Sequence, residues 1–392
     1  MDTLEKDLHF LAEELGARLP QTDAEKRAAE YVTNRLSSSL DEAHGIDFDA
    51  IGNYRLFFAA YFAEFIVVGL MALWWPTPAF FYGLVIFLVY IAEFMGYPIL
   101  SSFLPHYASS SAMGQSKTHD AACTIVFTAF LDTSDNPFSR IEARFAKYYL
   151  HYGIILCMLF VLVTCGIDAL GAFRGQVNPY TEGMRWIGIG LFTLIAAAGF
   201  LRALFINQNR GANSNASGVT ALLHLADLLQ ENPIKNSVVL FYAAGSHHAN
   251  MEGMRTLLTE NPHMAENTYV INIESIGAGQ LCYTKTEGML QQMPCDPELL
   301  AAAKMHSKKF HALPTTLNNR CSNAYLPLIH NIPALSILRL GKDGLPAHFG
   351  KSSDICKNID LEAVRDAALF AECIGREVVK RHIKIPGFDE ND

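Results

Sequence analysis

This sequence predicts an α/β domain, a mostly parallel sheet flanked by helices, divided by four transmembrane helices in two hairpins. Two observations carry that expectation. Four stretches are apolar over about 20 residues, the length a helix needs to cross a hydrocarbon core of about 30 Å. They are Leu56–Trp75, Ala79–Leu100, Tyr148–Leu170 and Trp186–Ile206. The polar remainder alternates short apolar, β-branched runs with helical periodicity, the pattern of a parallel sheet with crossover helices. A mean hydropathy of +0.16 and 51% hydrophobic residues in 392 agree with the first observation. Buried core helices are the alternative, but those usually run to about 10–14 apolar residues.

Trp74, Trp75 and Trp186 stand at segment ends, where interfacial aromatics belong. The first hairpin is expected to turn at Trp75-Pro76-Thr77-Pro78 and the second through Gly171–Arg185. Two even crossings return the chain to the side it left. Residues 1–55, 101–147 and 207–392 are therefore expected on one membrane face as one domain, with hairpins at 56–100 and 148–206 between them. Basic residues near span ends set orientation. Arg55, Arg140, Arg144, Lys147, Arg202 and Arg210 lie on the domain side, against Arg174 and Arg185 opposite. This predicts a cytoplasmic domain on a multi-pass membrane protein, with the lipid bilayer as a partner.

The opening Met1-Asp2-Thr3-Leu4-Glu5-Lys6-Asp7 has neither a basic nor an apolar leader region, so no signal peptide is expected. Eight scattered cysteines without a Cys-x-x-Cys pair fit a reducing compartment. A net charge of −9 argues against a nucleic-acid partner.

Within the polar segments, residues 2–15 and 23–39 show helical periodicity, with Thr22 or Asp23 as a cap. Thr124–Ala129, Ser237–Ala243, Tyr269–Ile273 and Ala334–Leu338 read as buried strands. Ser217–Leu229 and Leu361–Lys380 read as helices, and the tail Asp389-Glu390-Asn391-Asp392 as disordered. Binding sites in such sheets sit at the C-terminal ends of strands. Phe130-Leu131-Asp132, the loop 211–218, Gly245-Ser246-His247-His248, Asn272-Ile273-Glu274 and the stretch from His348 to Asp354 all fall there. Imidazole and carboxylate are usual zinc ligands, so His247, His248, Glu274 and His348 form a candidate metal cluster. Adjacent histidines are also common as solvated loop residues, and this chain has 14 histidines in all.

The loop Gly211-Ala212-Asn213-Ser214-Asn215-Ala216-Ser217-Gly218, followed by an apolar helix, sharpens the picture. It resembles the Gly-Ala-x-Asp-Asn-x-Ser-Gly signature of the M twenty-eight family of zinc aminopeptidases. That family also includes glutamate carboxypeptidases, glutaminyl cyclases and the non-catalytic transferrin receptors. Leu15-Gly16-Ala17-Arg18 with Ala24-Glu25-Lys26 is similar to the family's N-terminal helices and turn, and Asn323 to Leu338 to the stretch before its last ligand.

The resemblance implies a zinc aminopeptidase-like fold and a two-zinc site. In the family, one Asp bridges both ions, a His and an Asp complete the first, and a Glu and a His complete the second. A second Glu acts as general base. Paired zinc ions activate the bridging water and clamp the tetrahedral intermediate. On this alignment the first His is Phe130, and Asp132 is an orienting carboxylate left with nothing to orient. The bridging Asp is Ser214, the Glu pair is His247-His248, the next Asp is Glu274, and the last His falls on Gly350, two places from His348. A neutral hydroxyl and a phenyl ring are not zinc ligands. His248, Glu274 and His348 remain as a candidate mononuclear zinc set. His247 stands at the general-base position, where an ordinary imidazole pKa near 6.5 suits neutral pH.

Glu64, Glu93, His151 and Asp168 fall within or near the spans. Glu64 and Glu93 lie at different depths and are not expected to pair; His151 and Asp168 lie near span ends. The ligand census favours a membrane-anchored pseudoenzyme of peptidase-like fold that binds a peptide or protein partner in the old cleft, with no cofactor assigned. The alternatives are an active zinc hydrolase with a rebuilt mononuclear site, and an accessory or transport-associated membrane component.

Overall fold

The computed structural model describes residues 2–52, 54–116, 121–134, 138–147, 150–174, 179–205 and 208–382. The chain forms two compact units. One comprises Met1–Ala50, His106–Asp135 and Asn207–Asp392; the other comprises Ile51–Pro105 and Asn136–Ile206. The stretch 136–147, expected with the polar domain, therefore groups with the apolar helices. Its helix Ser139–Lys147 packs on the helix Leu150–Phe173.

The first unit is built on a nine-stranded sheet: β1 (Glu42–Ile51), β2 (His106–Ser116), β3 (Cys123–Phe130), β4 (Ser237–Ala244), β5 (Thr268–Ile273), β6 (Gln280–Gly288), β7 (Met293–Pro294), β8 (Leu313–Asn318) and β9 (Ala334–Leu340). The order is β1-β2-β4-β3-β5-β9-β6-β7, with β8 beside β6. The central four strands β4, β3, β5 and β9 are parallel. β2 runs antiparallel to β4 and β6 antiparallel to β9, so the sheet is mixed and the expected parallel character holds only for its centre. Those central strands are buried on both faces and so read as continuous apolar runs, as parallel strands must.

Helices cover the faces. Ser217–Glu231 buries Val219, Leu222, Leu223, Leu225, Ala226 and Leu229. Leu361–His382 buries Val364, Ala367, Ala368, Ala371, Ile374 and Val378, the three-and-four spacing of a core-facing stripe. Gly218 lets the first of these helices start against β5: a Cβ there would lie 2.5 Å from the Ile273 carbonyl oxygen. Thr22 occupies the N-cap of Asp23–Ser37 but makes no side-chain capping bond.

The second unit consists of the helices Tyr54–Met71, Pro76–Phe94, Ser139–Lys147, Leu150–Phe173 and Pro179–Leu204. Among the described residues, three are long and apolar enough to cross a membrane, over Pro76–Phe94, Tyr152–Phe173 and Tyr180–Arg202. A fourth apolar helix, Phe57–Met71, is shorter. The first turn lies earlier than expected, because Pro76 takes the first helical position, where its missing N–H leaves no bond unmade. The fourth helix starts at Pro179, not at Trp186. The expected span ends Tyr148 and Ile206 lie outside the described residues, as does the tail Asp389–Asp392.

Polar groups in this unit find local partners. Glu93 accepts from the amides of Ile99 and Ser101 at 2.6 and 2.8 Å and from the Ser101 hydroxyl at 2.7 Å, closing the turn after its helix. The Tyr82 hydroxyl donates to Glu64 at 2.6 Å. Asp168 pairs with Arg185 at 2.8 Å, with both side chains largely buried. The Asp168–Arg185 pair replaces the solvated position expected for Asp168. Nothing is described of the His151 side chain.

Candidate functional site

Parallel register brings the ends of β3, β4 and β5 to one sheet edge. Phe130 stands opposite Ala244, and Thr128 opposite Asn272. The residues that follow these strands therefore meet: Asp132 after β3, His247 and His248 after β4, Glu274 after β5. The loop at Gly211–Gly218 faces them, with Gly211 in the left-handed region at φ 62°.

Asp132 is fully buried and organises the turn after β4. Its Oδ1 accepts the His247 amide at 2.7 Å. Its Oδ2 accepts the His248 amide and His248 Nδ1, both at 2.8 Å. The expectation that Asp132 had lost its object is thus corrected: it orients His248, leaving Nε2 as the other ring nitrogen. Burial opposes the Asp132 charge, but the His248 side chain and amide outweigh it and hold the carboxyl below the usual range.

The Phe130 ring stacks on His247, centroids 4.3 Å apart and 18° from parallel, and meets His248 edge-on at 5.5 Å. Phe130 thus forms an aromatic wall beside the two histidines. His247 Nδ1 lies 2.7 Å from Asn323 Oδ1. Burial, and then the neighbouring His248, push the His247 pKa down to about 4. That departs from the near-neutral value expected of a general base, since a base works best with a pKa near the operating pH.

Ser214 donates its hydroxyl to Asp354 Oδ2 at 2.6 Å, and the Asn213 amide reaches Asp354 Oδ1 at 2.5 Å. Ser214 is therefore a neutral hydroxyl already committed to a buried carboxylate. Glu274 accepts from the Asn272 amide group at 3.1 Å. Burial raises its pKa to about 7, with the nearby Arg320 charge opposing. His348 Nδ1 lies 2.9 Å from the Ser353 hydroxyl, and both His348 and Gly350 adopt positive φ, at 62° and 64°.

Among the described residues, no three or more His, Cys, Asp or Glu side chains are grouped so as to hold a metal ion. His248, Glu274 and His348 form no such group, and beside them Phe130 and Ser214 offer a ring and a neutral hydroxyl. The residues present do not fit a two-zinc centre.

Sequence reasoning passed over the supports of this site. Arg18, fully buried, donates to the carbonyls of Leu131 at 3.1 Å and Gly16 at 2.6 Å and to Asn215 Oδ1 at 2.6 Å. Asn215 in turn donates to the carbonyls of Phe130 and Asp132. These two residues lock the 211–218 loop to the end of β3. Glu25, also buried, takes the Ser246 amide at 2.5 Å and the Ser109 hydroxyl at 2.9 Å, fixing the turn before His247. Gly16 and Arg18 carried the resemblance at the N-terminus, which was the available signal.

The family of this fold is identified by the sequence. The profile of peptidase family M28 matches residues 161–372, more than half of the chain, and the chain belongs to that family. Among solved structures, the LapA aminopeptidase of Legionella pneumophila is 11% identical with a TM-score of 0.55, covering 96% of this chain and 71% of that one. A zinc aminopeptidase from Bacillus subtilis is 12% identical with a TM-score of 0.55, covering 95% and 93%. The glutaminyl cyclase of Porphyromonas gingivalis is 11% identical with a TM-score of 0.52, covering 96% of each chain. At these identities the likeness is one of fold. A search of the curated proteins found none that matches.

Proposed function

We propose that this chain is a membrane-anchored, catalytically degenerate member of its family, which binds a peptide or protein partner in the old cleft. The observation that carries the reading is the Phe130 ring. It stacks on His247 at the position of the first zinc-binding histidine. The Ser214–Asp354 bond at the bridging position supports it, because a hydroxyl already donating to a carboxylate offers no charge to an ion. Two buried donors, Arg320 Nη1 and Asn323 Nδ2, have no hydrogen-bond partner among the described residues. Asn323 bonds His247 and Arg320 acts on Glu274, so an acceptor-rich ligand such as a peptide backbone would satisfy both. The apolar helices support anchoring in the bilayer. Their charge asymmetry supports a cytoplasm-facing domain.

The test is hydrolysis of aminoacyl substrates by the purified full chain. The reading predicts no hydrolysis above background, with or without a chelator. Activity that is lost on chelation and again in His248→Ala would overturn it in favour of a mononuclear zinc enzyme.

A further inference from the structure

A solvent-open groove of the first unit lies away from the cleft, between the helix Pro297–Ser307 and the strands β6 and β8. Its volume is about 780 Å³, within the range of small-molecule sites. Its floor is apolar, with Tyr283, Leu300, Leu313 and Pro314. Around that floor stand Lys285, Lys304, Lys308 and His311, and its lining includes no acidic side chain. In a chain of net charge −9 such a concentration of cations is unexpected.

The fold explains how the cations converge. Leu300, Lys304 and Lys308 follow at four-residue spacing and so share one helix face. The helix ends in a paired-bond cap: the Ala312 amide donates to the Ser307 carbonyl at 2.9 Å and the His311 amide to the Lys308 carbonyl at 3.5 Å. His311 takes the left-handed position of that cap at φ 51°, and its carbonyl is held by the Gln280 side chain of β6. This corner turns the chain into β8 and closes one wall. A lysine near a helix C-terminus also complements the helix dipole, which accounts for Lys304 and for Lys308 at the C-cap. It does not account for Lys285, which comes from β6. No hydrogen bond or ion pair holds the side chain of Lys285, Lys304 or Lys308 among the described residues.

We infer that this groove is a binding site for a soluble organic phosphate with an aromatic or apolar body, of about nucleotide size. Lysine ammonium groups from two separate elements would meet the phosphate oxygens, while Tyr283, Leu300 and Leu313 take the body. The site is separate from the strand-end cleft, so its failure leaves the proposed function untouched.

Calorimetric titration of the full chain in detergent tests it, with ATP as probe and inorganic phosphate for comparison. ATP should bind with a Kd below about 1 mM, more weakly as salt is raised. The double variant Lys285→Gln/Lys304→Gln, at two exposed positions, should weaken binding about tenfold. Inorganic phosphate should bind at least tenfold more weakly than ATP, since it leaves the apolar floor unused. Absence of ATP binding, binding unchanged in the double variant, or equal affinity for inorganic phosphate would each overturn the proposal. So would lysine-dependent binding confined to vesicles carrying phosphoinositide headgroups.

Discussion

At the residue scale, a carboxylate shows how substitution redirects a site. Glu274, at the position we assign to an aspartate ligand of the family, takes its hydrogen bond from Asn272 and feels the Arg320 charge. Burial without a close counter-charge raises its pKa to about 7 from an ordinary 4.5. The folded state then holds a proton between those values that the unfolded state releases. Stability from this group is present below about pH 4.5 and declines as pH rises towards 7. Glu274→Gln keeps an acceptor for Asn272 and removes the charge. The variant should match the parent in thermal stability at pH 4.5 and exceed it at pH 8, by up to ~3 kcal/mol. Denaturation curves at the two pH values check this; a difference that does not grow with pH would show that Glu274 is compensated. Asp132 behaves in the opposite way because His248 lies 2.8 Å from it.

At the scale of elements, the sequence makes some of the architecture plain and hides the rest for physical reasons. The central strands β3, β4, β5 and β9 are legible because burial on both faces demands unbroken apolar runs. β2 is not, since its buried core is Ser109-Ser110-Ser111, whose hydroxyls bond Glu25, Asp47 and the Gly245 amide across the fold. β1 and β6 carry too many polar residues to stand out. The position of the site is legible from strand ends and the 211–218 loop. Its wiring is not: Arg18 meets Asn215 across 197 positions. The turn that returns His248 to Asp132 depends on positive φ at Ser246, Asn250 and Met251, none of them glycine. For the apolar helices, the four crossings we propose and the basic residues at their ends lead to one prediction. A reporter fused at the C-terminus should be active if it requires the cytoplasm and silent if it requires the opposite compartment. The reverse pattern would invert the orientation.

At the scale of the whole molecule, the family fold persists, while among the described residues no three metal-ligating side chains are grouped to hold an ion. A nine-stranded sheet, its covering helices and the signature loop survive at about 11–12% identity to zinc aminopeptidases and glutaminyl cyclases of the same fold. Fold is retained through packing, to which Phe130, Ser214 and Asp132 all contribute whether or not an ion is bound. Function resides in the site and has to be argued from it. Here the site offers an aromatic wall, an imidazole fixed by a buried carboxylate, and two donors, Arg320 Nη1 and Asn323 Nδ2, without a hydrogen-bond partner among the described residues. The most direct test of the central claim is the zinc content of the full chain purified without chelator. The account predicts no stoichiometric zinc. About one ion per chain would favour a mononuclear centre at His248, and about two would contradict the account outright.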